Sequence, residues 1–145
     1  MKPAGTHILL DMKGIDRALL DDRARLRRTL VKAAKDAGAR VLDARFRSFE
    51  PSGVTGVVLL AESHIAIHTW PDRGYAAVDL FTCGRQEKAQ KAARALVAAL
   101  GPTDSNVVVV TRTEPGGPDS AGGAPRAAAQ RIDDAIAGAR PRGRR

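Results

Sequence analysis

Near the amino terminus, the apolar positions have the spacing of a strand and then the spacing of a helix. The run THILLDMKG, residues 6–14, is typical of a strand, and in residues 15–38 the apolar positions recur with the period of a helix. These positions are Leu19, Leu26, Leu30, Ala33 and Ala37. Asp16 is suited to cap the start of this helix and Gly38 to end it. The first part of the chain therefore predicts a strand followed by one amphipathic helix.

The middle of the chain consists of extended runs separated by turn residues. ARVLDARFRSFE (39–50) and GVTGVVLLAE (53–62) are separated by a Pro-Ser-Gly connection, whereas HIAIHTW (64–70) and YAAVDLFTC (75–83) flank the turn PDRG. Neighbouring strands joined by such short connections pair antiparallel. Along 75–83 the alternation places Cys83 on the face opposite Ala76, Val78 and Leu80. One face of this strand is thus predicted to pack in a core while the other presents polar groups.

A second helix and a last strand complete the pattern. RQEKAQKAARALVAALG, residues 85–101, has one apolar helical face and ends at Gly101, and NVVVVTRT (106–113) is again strand-like. Two helices are too few to cover both faces of the sheet. We therefore predict an α+β fold, a two-layer α/β sandwich whose antiparallel sheet carries both helices on one face. The other face is expected to be covered by a second subunit.

The chain divides into a domain, residues 1–114, and a tail, residues 115–145. The tail is rich in Gly, Pro, Ala and Arg and short of large apolar residues, so it cannot bury enough surface to offset the entropy of ordering. We predict a flexible tail. A short helix over 127–137 would be marginal on its own.

The composition limits the cellular compartment and the binding partners expected for this domain. The single cysteine, Cys83, excludes an intramolecular disulfide, and the only apolar run near the amino terminus is the short stretch 8–10, followed by Asp11. We expect a cytoplasmic protein with no membrane segment. The net charge of +8 is spread over the tail and over 17–35, where acidic residues are interleaved. Because basic clusters with aromatic platforms are absent, nucleic-acid binding is not favoured.

Residues 61–84, AESHIAIHTWPDRGYAAVDLFTCG, concentrate the chemistry of the chain. They hold its only Cys, Trp and Tyr and two of its three His. His64 and His68 lie in a strand-like run, where four residues span about 13 Å, too far for one metal ion. No metal site is predicted. Ser63 lies near both histidines, but the Gly-x-Ser-x-Gly elbow of many serine hydrolases is absent.

This stretch closely resembles the processing and active-site segment of the prokaryotic S-adenosylmethionine decarboxylases, which are pyruvoyl enzymes of polyamine synthesis. With the preceding FEPSGVTGVVLLAE and the order of strands and helices, the resemblance extends over roughly residues 5–113. It implies that the chain cleaves itself between Glu62 and Ser63 into chains 1–62 and 63–145. Ser63 would form an ester with the preceding carbonyl, and elimination and hydrolysis would leave a covalent pyruvoyl group.

The resemblance also implies the chemistry of that group. A pyruvoyl ketone forms a Schiff base with the substrate amine and accepts the electrons left when CO₂ departs, which no unmodified side chain does. The implied reaction converts S-adenosylmethionine to the aminopropyl donor of spermidine synthesis.

Further residues receive roles from the resemblance. His68 would assist processing, Thr55 would support it with a hydroxyl, and Cys83 would protonate the decarboxylated carbon. The substrate-binding positions would be Phe49, which stacks on adenine, Trp70, and Asp72, which accepts hydrogen bonds from the ribose hydroxyls. A homodimer with sites near the subunit interface is also implied.

Two departures from the family pattern leave the substrate open. Asp72 stands where glutamate is common and is one methylene shorter, and Arg47 stands where histidine is more usual. An arginine in the site would favour a carboxylate and disfavour a sulfonium ion. A pyruvoyl-dependent decarboxylase of a free basic amino acid, arginine or ornithine, is therefore an alternative. A noncatalytic basic binding module is another, and it predicts an uncut chain.

Overall fold

A computed structural model describes residues 4–83, 85–114 and 127–131 of the chain. The strands are β1 (Gly5–Lys13), β2 (Val41–Ser48), β3 (Val54–Leu60), β4 (Ser63–Trp70), β5 (Tyr75–Thr82), β6 (Asp104–Arg112) and β7 (Ala127–Arg131). The helices are α1 (Arg17–Leu20), α2 (Arg23–Asp36) and α3 (Gln86–Leu100), and a 3-10 turn spans Pro71–Arg73.

All strands belong to one antiparallel sheet with the order β2-β3-β4-β5-β1-β6-β7. Helix α2 packs over β2 and β3, and α3 packs over β1 and β5 on the same side. The predicted fold class, a two-layer α/β sandwich with an antiparallel sheet and the helices on one face, is confirmed.

The core lies between this sheet face and the helices. Alternate residues of the strands enter it, including Ile8 and Leu10 of β1, Ile67 of β4 and Leu80 of β5, all of them fully buried. Helix residues that recur with the predicted period, such as Leu26, are buried on the helix side of this core.

The single helix predicted over residues 15–38 is in fact two helices. Asp16 caps α1 through the amide of Ala18, as predicted, but Asp22 then caps α2 by accepting a hydrogen bond from the Arg25 amide at 2.9 Å. Asp21 accepts a hydrogen bond from the amide of Gly53 at 2.9 Å. The acidic pair therefore breaks the helix and anchors the β2–β3 connection, whereas the sequence indicated only solvated charges.

The ends of both long helices follow the prediction. Gly38, with φ of 80°, follows the last turn of α2, and Gly101, with φ of 62°, ends α3. Glycine adopts this left-handed conformation without steric cost and so stops the helix.

Part of the predicted tail belongs to the sheet. Residues Ala127–Arg131 form β7 and pair with β6 in antiparallel register. The short helix predicted over 127–137 is therefore wrong for these five residues. The rest of the predicted tail beyond Glu114 lies outside the described residues.

None of the helices described in the chain is both long enough and apolar enough to cross a membrane.

Candidate active site

Residues 63–82 fold as the hairpin of β4 and β5, two inner strands of the sheet. Ala76, Val78 and Leu80 are buried under the helices, while Tyr75, Ala77, Asp79 and Phe81 face the other side. The predicted alternation of faces is confirmed for residues 75–81.

The sheet face opposite the helices, called the open face below, consists of aligned rows of side chains. One row runs Leu59–His64–Phe81–His7–Val110, the next Val57–Ala66–Asp79–Leu9–Val108, and the third Thr55–His68–Ala77–Asp11–Asn106. Val57 is 41% exposed and Leu59 is 49% exposed. The open face thus combines exposed apolar side chains with most of the polar groups of the site.

Thr55 and His68 are direct cross-strand partners on this face. The Thr55 hydroxyl lies 3.0 Å from Nδ1 of His68, so that it donates a hydrogen bond when this nitrogen is unprotonated. Arg47 of β2 pairs with Thr55 from the other side, and its side chain is exposed. The sequence-predicted processing pair is therefore in contact.

The β3–β4 turn holds the predicted cleavage site in an unfavourable backbone conformation. Leu60 and Ser63 close a two-residue turn, and its second residue, Glu62, has φ of 62°. Among the described residues other than glycine, only Glu62 has positive φ. Ala61 does not share it, so the turn lacks the pair of positive φ values of the type I′ turn that best fits twisted hairpins. A side chain in this conformation costs about 1–2 kcal/mol.

Ser63 lies at the end of β4, half-buried and opposite Thr82 of β5. It lines a cavity of about 260 Å³ on the helix side of the sheet, together with Leu80 and Thr82. Cys83 follows Thr82 directly and is exposed. Ser63 and Cys83 thus share one end of the hairpin.

The structure does not bring Ser63 and His68 together within one chain. They are five residues apart on β4, which corresponds to about 16 Å in an extended strand, and an odd spacing places them on opposite faces. The Thr55–His68 pair and the Ser63–Cys83 end are therefore separate groups in the single chain.

The predicted substrate-binding residues lie at the Thr55–His68 end. Trp70 is the last residue of β4, and its ring centroid lies 6.4 Å from that of His68. Asp72 is exposed and lies in the 3-10 turn that follows. Phe49, 49% exposed, follows β2 at the same end of the sheet.

The neighbours of Trp70 were not singled out from the sequence. Tyr75 stacks on Trp70 at 4.9 Å, and the Arg73 guanidinium lies 5.6 Å from the indole centroid. The Tyr75 hydroxyl donates to Asp11, and this hydrogen bond raises the pKa of Tyr75 to about 12. The sequence shows a carboxylate directly after the apolar run of β1, but nothing local pairs it with Tyr75.

A second aromatic group surrounds Phe81, near the Ser63 end of the open face. His64 stacks on its ring, and His7 meets it edge-on, both at 5.9 Å between centroids. His7 has a buried Nε2 without a hydrogen-bond partner, and burial lowers the pKa of this histidine.

Across the described residues no three metal-ligating side chains converge. His64 and His68 lie on a strand, as predicted, and are separated along it by about 13 Å.

Comparison with known proteins identifies the family. The model of the S-adenosylmethionine decarboxylase family matches residues 6–113. A protein named S-adenosylmethionine decarboxylase proenzyme from Prochlorococcus marinus strain MIT 9313 is 53% identical over 97 residues, 67% of this chain and 78% of the relative. Another of that name, from Methanococcus maripaludis, is 42% identical over 112 residues, 77% of this chain and 92% of the relative.

Solved structures agree with this assignment. The adenosylmethionine decarboxylase from Aquifex aeolicus VF5 superposes with a TM-score of 0.75 at 39% identity, covering 79% of this chain and 94% of that one. A Trypanosoma brucei AdoMetDC monomer, at 17% identity and a TM-score of 0.55, covers 72% of this chain and 45% of that one, and shows the fold alone. The chain belongs to the S-adenosylmethionine decarboxylase family.

Proposed function

We propose that the chain is a proenzyme that cuts its own backbone between Glu62 and Ser63 and then decarboxylates S-adenosylmethionine with a pyruvoyl group derived from Ser63. Membership of the family supports the reaction, and the word proenzyme in the names of the relatives supports processing. The alternative of a noncatalytic basic module has no such support.

The observation that carries self-cleavage is the backbone of Glu62. Its left-handed conformation is strained, and Glu62 is the residue whose carbonyl would be attacked. The turn has only two residues, so the strain cannot be relieved by neighbouring loop residues. Scission of the following bond releases that strain. Ser63 is half-buried and lines a cavity, which is consistent with a residue that is converted to a pyruvoyl group within the folded protein.

The proposed processing consists of balanced steps at these two residues. The Ser63 hydroxyl adds to the Glu62 carbonyl and displaces the amide nitrogen, which gives an ester. Loss of the Ser63 α-proton then breaks the Cβ–Oγ bond, leaving a carboxylate on Glu62 and a dehydroalanine at position 63. Water converts the dehydroalanine into the pyruvoyl group and releases ammonia. When formed, this group accepts the electron pair that decarboxylation leaves on the substrate.

The roles of His68 and Thr55 require a second subunit. Their pair lies about 16 Å along β4 from Ser63, so it cannot act on the Ser63 of its own chain. In a two-fold homodimer, the open face of one subunit could pack on the open face of the other. The Ser63 end of each β4–β5 hairpin would then lie near the Thr55–His68 end of the partner's hairpin. In this arrangement His68 of the partner subunit approaches the main chain of Ser63 from the open face, opposite the hydroxyl, where it would take the α-proton in the elimination step. The exposed Val57 and Leu59 become buried.

The same arrangement unites the substrate-binding residues with the reactive end. Trp70, Phe49 and Asp72 lie at the Thr55–His68 end, whereas Cys83 follows Thr82, the cross-strand partner of Ser63, at the other end. We assign adenosine binding to the first three and proton delivery to the decarboxylated carbon to the Cys83 thiol. Each complete site would then contain residues of both protomers.

Mixing two inactive variants tests the shared site. The Ser63→Ala and His68→Ala chains should each remain uncut alone, but co-refolding should allow the His68→Ala chain to be cut, because its Ser63 meets an intact histidine of the other subunit. Failure of the mixture to produce fragments, with a dimer formed, would contradict the shared site.

The substrate is tested by CO₂ release from S-adenosylmethionine, arginine and ornithine, each supplied to the same purified protein. We expect release from S-adenosylmethionine only, and none from the Ser63→Ala chain. Release from a free basic amino acid instead would favour the alternative that Arg47 raises.

A further inference from the structure

Three cationic side chains surround the cavity behind the β3–β4 turn. Arg40 precedes β2, and Arg85 and Lys88 lie at the start of α3, yet all three line the same cavity of about 260 Å³ as Glu62 and Ser63. The fold therefore gathers positive charge from two distant parts of the sequence at the turn that contains the proposed cleavage site.

This charge is not neutralised among the described residues. Neither of their two ion pairs, Lys32–Asp36 and Asp43–Arg45, includes a cation of the cavity, and Glu62 is the only carboxylate residue in its lining. Three positive charges against one negative charge leave a surplus of two.

Other groups in the wall also suit an anion. The Thr82 hydroxyl is buried and lacks a hydrogen-bond partner. The start of α3, where Arg85 supplies no side-chain cap, adds the positive end of a 15-residue helix. The Lys88 ammonium donates one hydrogen bond, to the carbonyl oxygen of Gly38 at 3.4 Å, which leaves two of its three N–H groups available for an anion.

We infer that this cationic pocket, formed by Arg40, Arg85 and Lys88, stabilises the negative charge that self-cleavage creates on the main chain of Glu62. The inference rests on the proposed function. Before processing the Glu62 carbonyl is neutral. When the Cβ–Oγ bond of the ester breaks, its electron pair stays on the oxygen, and Glu62 becomes a chain terminus with an α-carboxylate. The pocket favours this departure and then holds the new terminus.

The size of the cavity sets the expected effect. A sphere of 260 Å³ is about 8 Å across, which is close to the screening length of about 8 Å at physiological ionic strength. At this distance and at low ionic strength, one unit charge changes an equilibrium by a little over two-fold at the dielectric constant of water, and screening at physiological salt reduces this factor. Loss of two charges should therefore slow elimination about five-fold at low ionic strength.

The test follows processing of freshly translated full-length chains by gel electrophoresis. The double variant Arg85→Gln/Lys88→Gln is compared with Arg28→Gln/Lys91→Gln, which removes two exposed charges from α2 and α3 outside the cavity. Hydroxylamine, which cleaves esters, measures the ester that accumulates.

At low ionic strength we expect the pocket variant to be cut about five-fold more slowly than wild type and to accumulate ester. Added salt should slow processing of the wild type but not of the pocket variant. The control should match wild type, and Lys88→Arg should process normally. Equal rates in the pocket variant and the control would overturn the inference. If the pocket variant does not fold, wild-type processing that is indifferent to salt would overturn it instead. A wild-type chain that is never cut would overturn the proposed function, and this inference with it.

Discussion

Replacing Glu62 by glycine should raise the free energy of unfolding of the uncut chain, whereas the same replacement at Ala61, in the same turn, should lower it. At φ of 62°, a residue with a side chain loses about 1–2 kcal/mol that glycine does not lose. Glycine also makes the unfolded chain more flexible, which costs about 0.5–1 kcal/mol at either position. The net gain at position 62 is about 0.5–1 kcal/mol, and the two variants should differ by about 1–2 kcal/mol.

Urea denaturation of both variants in the Ser63→Ala background measures this difference without interference from processing. A Glu62→Gln chain in the same background accounts for the lost charge, since it keeps the backbone penalty. With Ser63 restored, Glu62→Gly should also slow self-cleavage by up to about five-fold, because 1 kcal/mol of released strain is worth about that factor in rate. Equal unfolding free energies for the two glycine variants would refute the strain at the cleavage site.

Three further predictions concern other parts of the site. Thr69→Val leaves the buried Val54 amide without its acceptor, now 2.9 Å away, and should lower the free energy of unfolding by about 1–3 kcal/mol in urea denaturation; an unchanged value would contradict that bond. Cys83→Ala should still be cut but release CO₂ slowly or yield a misprotonated product, and normal turnover would remove its assigned role. Tyr75, the only tyrosine, should ionise near pH 12 rather than 10 because it donates to Asp11. Its folded pKa exceeds the unfolded one, so this contact stabilises the fold below pH 10 and ceases to do so between pH 10 and 12. Asp11→Asn should return the midpoint of the phenolate absorbance titration towards pH 10, and an unshifted midpoint would contradict the contact.

The layered fold followed from local patterns in the sequence. Alternation in 75–83 predicted which residues of β5 are buried, and the helical spacing of Leu26 and Leu30 predicted the core face of α2. Both patterns depend only on the geometry of a single element. The family prediction rested on the specific combination of side chains in residues 61–84, and it was confirmed by the family model that matches residues 6–113.

Features that depend on contacts between distant residues were not predictable in this way. The break between α1 and α2 depends on Asp21 reaching Gly53, 32 residues away. The contact between Tyr75 and Asp11 spans 64 residues. Neither the positive φ of Glu62 nor the pairing of β7 with β6 has a local sequence signal.

The strand register establishes the separation of His68 from Ser63. The sequence places both residues in one short segment, and proximity along the chain suggested proximity in the site. In an extended strand, however, residues five positions apart have side chains on different faces, so Ser63 and His68 are not close. This separation gives a chemical reason to expect a second subunit on the open face, because only the partner's histidine could then act at Ser63.

The most direct measurement of the central claim is the intact mass of the purified wild-type protein. We predict two chains, residues 1–62 with a free carboxylate on Glu62, and residues 63–145 with a pyruvoyl group in place of Ser63, so that its amino terminus resists sequencing. The Ser63→Ala chain should give one mass. A single wild-type polypeptide of 145 residues with an unmodified serine would contradict the account.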